Sequence, residues 1–101
     1  MRFVLDKSRD LKETISGNTF VATLPGIHPV FGEALTIRVR GLQAESIKEK
    51  DPRRAALAFD QWLRFKRAME DARMVELRNI ERGAGDFWVW TDLYLDGRLI
   101  Q

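Results

Sequence analysis

The chain has 101 residues, 45% of them hydrophobic and 10% aromatic, which suits a single domain with a real core and argues against disorder. Its 17 basic and 15 acidic residues leave a formal charge of +2, so bulk charge draws no polyanion and only a local basic surface would. The absence of cysteine excludes disulfide frameworks, thiol nucleophiles and cysteine–zinc sites.

The first residues, Met1-Arg2-Phe3-Val4-Leu5-Asp6-Lys7, turn charged too soon for a signal peptide. No apolar run approaches the roughly 18 residues of a membrane span, so a cytoplasmic protein with no membrane partner is expected. Residues 11–16 lead into Ser16-Gly17-Asn18-Thr19, where Gly-Asn between two short apolar stretches signals a tight hairpin. Phe20 to Leu24 reads as its second strand, and Pro25-Gly26 opens a loop running through His28-Pro29 to Gly32. His28 is the only histidine, and with no cysteine beside it a metal or catalytic role has little to rest on.

Leu35 to Arg40 alternates, with Leu35, Ile37 and Val39 on the core face and Thr36, Arg38 and Arg40 on the other. Gly41 ends or bends this strand. Asp51-Pro52 is an N-cap followed by proline at the first helical position. The helix it opens carries Ala55, Ala58, Phe59, Trp62, Phe65 and Met69 as a core stripe and fades near Ala72. Met74 to Ile80 alternates as a strand, Gly83-Ala84-Gly85 is a turn, and Phe87 to Leu95 is the last long strand, leaving by Asp96-Gly97. Three strands, one helix and two strands, with a short terminal segment, make an α+β chain.

From Gly17 to Arg98 several phrases, in order, resemble the staphylococcal-nuclease-like (thermonuclease) family. They are Gly17-Asn18-Thr19, Ile37-Arg38-Val39-Arg40-Gly41-Leu42, Val75-Glu76-Leu77 and Leu93-Tyr94-Leu95-Asp96-Gly97-Arg98. The resemblance implies a mainly β, five-stranded barrel of the oligonucleotide-binding (OB) type, spanning 1–101, with its principal helix between strands 3 and 4. Such barrels commonly bind nucleic acid or sugar polymers.

The family's chemistry is calcium-dependent phosphodiester cleavage, and there the match fails. Asn18 and Gln43 stand where the family has calcium carboxylates, Ser46 where it has a general base, and Trp88 where it has a second arginine. Only Arg38 matches. Calcium affinity falls as carboxylate charge is removed, and loss of a general base alone removes about 10²–10⁴ in rate. The family also continues past Asp-Gly-Arg into further helices, whereas this sequence ends at Leu99-Ile100-Gln101. Self-association is expected if apolar surface is left uncovered.

Trp88, Trp90 and Tyr94 share one face of the last strand, opposite Phe87, Val89, Leu93 and Leu95. That face either stacks bases or fills the barrel, which is the ordinary use of such rings. Arg38 and Arg40 either hold phosphate or belong to a solvated strand face, and Asn18 either binds a ligand or satisfies its own turn. The leading expectation is a catalytically degenerate nuclease-like OB module that binds single-stranded nucleic acid weakly through Arg38, Arg40, Trp88 and Trp90, with no metal or cofactor. The alternatives are a divergent calcium-dependent nuclease recruiting Glu45 and Asp92, and a protein-interaction module.

Overall fold

The computed structural model describes residues 2–24, 34–45, 50–83 and 88–101. His28, Ser46, Phe87 and the Ala84-Gly85 turn lie outside the described residues.

Helix α1 (Pro52–Asp71) starts where its capping chemistry places it. Asp51 is extended and its carboxylate accepts from the Arg53 amide at 2.9 Å, while Ala72 returns to extended backbone at the other end. Ala58, Phe65 and Met69 turn inward. The Trp62 Nε1–H donates to the Thr14 carbonyl at 2.7 Å, tying the helix to the sheet. Phe59 departs from the expected core stripe, being 57% exposed. It sits about 100° around the helix from Ala58, so it packs beside Trp62, with ring centres 5.6 Å apart, and not against the sheet.

Seven strands are found among the described residues: β1 (Arg2–Leu5), β2 (Leu11–Ser16), β3 (Thr19–Ala22), β4 (Leu35–Val39), β5 (Val75–Arg82), β6 (Trp88–Leu95) and β7 (Arg98–Leu99). They form one curled, half-barrel sheet in the order β1-β5-β6-β4-β3-β2, with β7 added against β6. The β4–β6 pair is parallel and every other pair antiparallel. The N-terminal strand β1 exceeds the expected set of strands, and β7 is the short terminal segment. The two sheet edges, β1 and β2, are joined by residues 6–10. There Asp6 accepts from the Ser8 and Arg9 amides, and buried Asp10 accepts from the Asp6 amide and the Arg9 guanidinium. Arg9 holds the Asp10 carboxyl below its ordinary range.

The core lies between the inner face of the sheet and α1, and includes Phe20, Ile37, Val39, Phe65, Met69, Val75, Leu77 and Leu93. Alternation along β4 puts Ile37 and Val39 inside and Arg38 outside, as the sequence pattern requires. Along β5 the alternation breaks. Arg78 pairs with Asp92, yet Glu81 pairs with Trp90, so Asn79 and Ile80 together oppose Thr91. Asn79 has φ 55°, a left-handed conformation that asparagine tolerates better than most residues. This bulge sends Ile80 toward the core and leaves Glu81 exposed.

The β2–β3 turn differs from the primed hairpin that Gly-Asn suggests, because neither Gly17 nor Asn18 has positive φ. Gly17 is there for space. A Cβ on it would lie 2.8 Å from the Gln61 Cβ and 2.9 Å from the Ala44 Cβ, so the turn is pressed between α1 and the segment after β4. No described helix is long and apolar enough to cross a membrane.

Candidate functional site

The outward face of the sheet carries most of the residues singled out from the sequence. Along β6, Val89, Leu93 and Leu95 face the core cluster or are buried, with Thr91 fully buried beside them. Trp88, Trp90, Asp92 and Tyr94 lie on the other side and are half-buried. The tryptophans therefore do not fill the interior of the sheet. Parallel pairing sets Thr36 beside Trp88 and Arg38 beside Trp90, which brings exposed Arg38 onto the aromatic row.

Two tryptophans and one arginine form a compact group. The Trp88 and Trp90 rings meet edge to face, with centres 4.9 Å apart and planes at 81°. The Arg38 Cζ lies 4.3 Å from the centre of the Trp88 ring. A cation on an aromatic face contributes about 0.5–1 kcal/mol at an exposed site. Among the described residues Arg38 has no carboxylate partner.

Arg40 lies on the same face and is used differently. Its guanidinium pairs with Asp92 at 3.0 Å and Glu81 at 3.2 Å, and also donates to the Asn79 carbonyl. The Asn79 amide and then Arg40 hold the Asp92 carboxyl below its ordinary range. Asp92, one of two residues suggested as a replacement metal ligand, is thus occupied by an arginine and an amide. Glu45 offers its backbone amide to the Gln61 side chain at 2.8 Å. Among the described residues no three His, Cys, Asp or Glu side chains converge on a common point.

The family-site positions gather only in part. The Asn18 amide donates to the Leu42 carbonyl at 3.1 Å, and its oxygen accepts from the Ser16 and Thr19 hydroxyls at 3.0 and 2.9 Å. The Asn18 carbonyl in turn accepts from the Val39 amide at 2.9 Å. Asn18 therefore lies against the segment that carries Gln43, and its side chain serves the turn. Gln43 is exposed. Ser46 lies outside the described residues.

Sequence reasoning missed a second arginine–aromatic pair on this face. Arg78 lies over Tyr94, with Cζ 4.2 Å from the ring centre. It also donates to Glu76 at 2.8 Å, and Arg2 approaches the same carboxylate at 3.1 Å. The Glu76 side chain is 2% exposed, and its carboxyl is held below the ordinary range by the Arg78 hydrogen bond and by Arg2. Alternation of Glu76 and Arg78 with Val75 and Leu77 was the available signal, but it reads equally as a solvated face.

A concavity away from this face runs between β2 and α1, lined by Lys12, Glu13, Trp62, Lys66 and Glu70 among others. Two lysines and two glutamates cancel there, and Lys66 lies over the Trp62 ring. No protein-family model and no curated protein sequence matches this chain.

Proposed function

We propose that the protein is a small binding module whose ligand surface is the outward face of β4 and β6, and that it takes single-stranded nucleic acid weakly and without marked sequence preference. The observation that carries this is the exposed Arg38 guanidinium over the half-buried Trp88 ring beside Trp90, without a carboxylate partner among the described residues. The Arg38 guanidinium and the Trp90 ring beside it provide the two contacts a single strand requires, one for phosphate and one for stacked bases. Stacking on an aromatic is worth about 1–3 kcal/mol per base.

The finer fold reading is an OB-type barrel, partly open, of the nuclease-like kind that the sequence resembles. Its support is the curl of the sheet, which leaves consecutive strands β1 and β2 at the two edges, and the helix lying between β4 and β5. In such barrels the outer strand face and its flanking loops are the usual oligonucleotide surface. On this reading the nuclease chemistry is lost. Asn18, at one of the two family calcium positions, is committed to the turn, and Asp92, a suggested replacement ligand, to Arg40.

The test is a titration with a short oligothymidylate, followed by tryptophan fluorescence at low and at physiological salt. Weak binding that falls as salt rises is expected. No binding at low salt removes the nucleic-acid reading and leaves the protein-interaction module. Chelator-sensitive cleavage of the oligonucleotide in calcium would restore the nuclease.

A further inference from the structure

We infer that Trp88 is the middle layer of a three-part stack, Gly83–Trp88–Arg38, and that the stack presents the ligand with one flat guanidinium and hence a footprint of one phosphate. This rests on the single-strand reading above and names the atoms that meet the strand.

Gly83 faces Trp88 across the β5–β6 ladder, and its amide donates to the Trp88 carbonyl at 3.0 Å. A Cβ on Gly83 would run into Cδ2, Cε2 and Cε3 of the Trp88 ring at once, so the ring lies with its face on the glycine. Gly83 does not have positive φ. What requires glycine there is the tryptophan. The opposite flank of Trp88 belongs to β4, where its direct neighbour is the small Thr36. That leaves room for Arg38 to reach diagonally and cover the ring. Trp90 meets Trp88 edge to face and restrains its rotation.

With glycine on one side and guanidinium on the other, Trp88 has no open face for a base. The exposed member is Arg38, its Cζ held 4.3 Å from the centre of the ring. A guanidinium fixed in this way offers its outer plane to a base and its N–H edge to a phosphate in a bidentate fork. A lysine carries the same charge but neither the plane nor the fork. The remaining described arginines of this face are engaged, Arg40 by Asp92 and Glu81, Arg78 and Arg2 by Glu76. One available arginine among the described residues of this face gives one phosphate contact, and for a single strand log K then falls against log salt with a slope of about −0.7.

Two measurements on the full chain test this. In the free protein the Arg38 side-chain N–H signal should be shifted upfield by the ring current of Trp88, and Gly83→Ala should return it to the range of the other arginines. In oligothymidylate titrations, Gly83→Ala and Arg38→Lys should each weaken binding about two- to fivefold, an exposed cation–π contact converted to a ratio at room temperature. Both should keep the shallow salt slope, whereas Arg38→Ala should remove it. If Gly83→Ala fails to fold, the surface variant Arg38→Lys decides. Wild-type binding with Arg38→Lys unchanged, an Arg38 signal unmoved in Gly83→Ala, or a slope of several phosphates would each overturn the stack while leaving the single-strand reading intact. Complete absence of binding by the wild type overturns both.

Discussion

Two arginines on one face of this sheet do the same thing locally and different things globally. Arg38 covers Trp88 and Arg78 covers Tyr94, at nearly equal distances of 4.3 and 4.2 Å. Beneath Arg78 lies the buried carboxylate of Glu76, shared with Arg2, while Arg38 has none among the described residues. The carboxylate turns one pair into a closed structural unit, because its desolvation is compensated only while both arginines stay in place. The other pair keeps its charge for something outside the chain. An arginine on an aromatic ring is therefore no evidence of a binding site until its carboxylates have been accounted for.

The largest effect should come from breaking the closed unit. Glu76→Gln leaves Arg78 and Arg2 around a neutral amide, and the thermal midpoint should fall by several degrees. The pH dependence follows from the lowered Glu76 carboxyl. Its contribution is complete above the unfolded carboxylate value, about 4.3, and is lost as pH falls through the lower folded value. Wild-type stability should therefore decline below about pH 4, and Glu76→Gln should flatten that decline. An unchanged acid profile would show that Glu76 is not the group that couples this face to pH.

A moderate effect is expected at the turn. Asn18→Asp removes the donor to the Leu42 carbonyl, which should cost about 1–2 kcal/mol in denaturant unfolding. Calcium should not restore the loss. A variant whose midpoint rises several degrees in millimolar calcium would show that the turn is one carboxylate short of a metal site.

Arg38→Ala should cost no more than about 1 kcal/mol of stability, the upper end of an exposed cation–π contact. A loss comparable to that of Glu76→Gln would mean that Arg38 belongs to the fold, and the contrast between the two pairs would vanish. The smallest effect is set at zero: the wild-type midpoint should be the same in chelator and in millimolar calcium.

Much of this fold was legible in the sequence because the relevant signals are local. Asp51-Pro52 announces α1, the alternation of Leu35 to Val39 assigns the faces of β4, and Asp96-Gly97 marks the turn into β7, both residues having positive φ. What stayed hidden depends on distant partners. β1 is four residues long, and only its pairing with β5, some seventy positions later, makes it a strand. The Asn79 bulge interrupts an alternation that the sequence alone would continue. For the site, period-two spacing put Trp88 and Trp90 together, but not on which side of the sheet. Gly83 was read as part of a turn, although its neighbour is the Trp88 ring. The commitment of Arg78 and Arg40 to acids was equally invisible, since Glu76, Glu81 and Asp92 are ordinary surface residues in composition and pattern.

The most direct test sets the two arginines side by side in one experiment, an oligothymidylate titration at low salt with wild type, Arg38→Ala and Arg78→Ala, at a temperature where all three are folded. The expected result is salt-sensitive binding by wild type and by Arg78→Ala at similar affinity, with Arg38→Ala reduced to background. Equal binding by Arg38→Ala and wild type, or an equal loss in both variants, would contradict the assignment of Arg38 to the ligand and Arg78 to the fold.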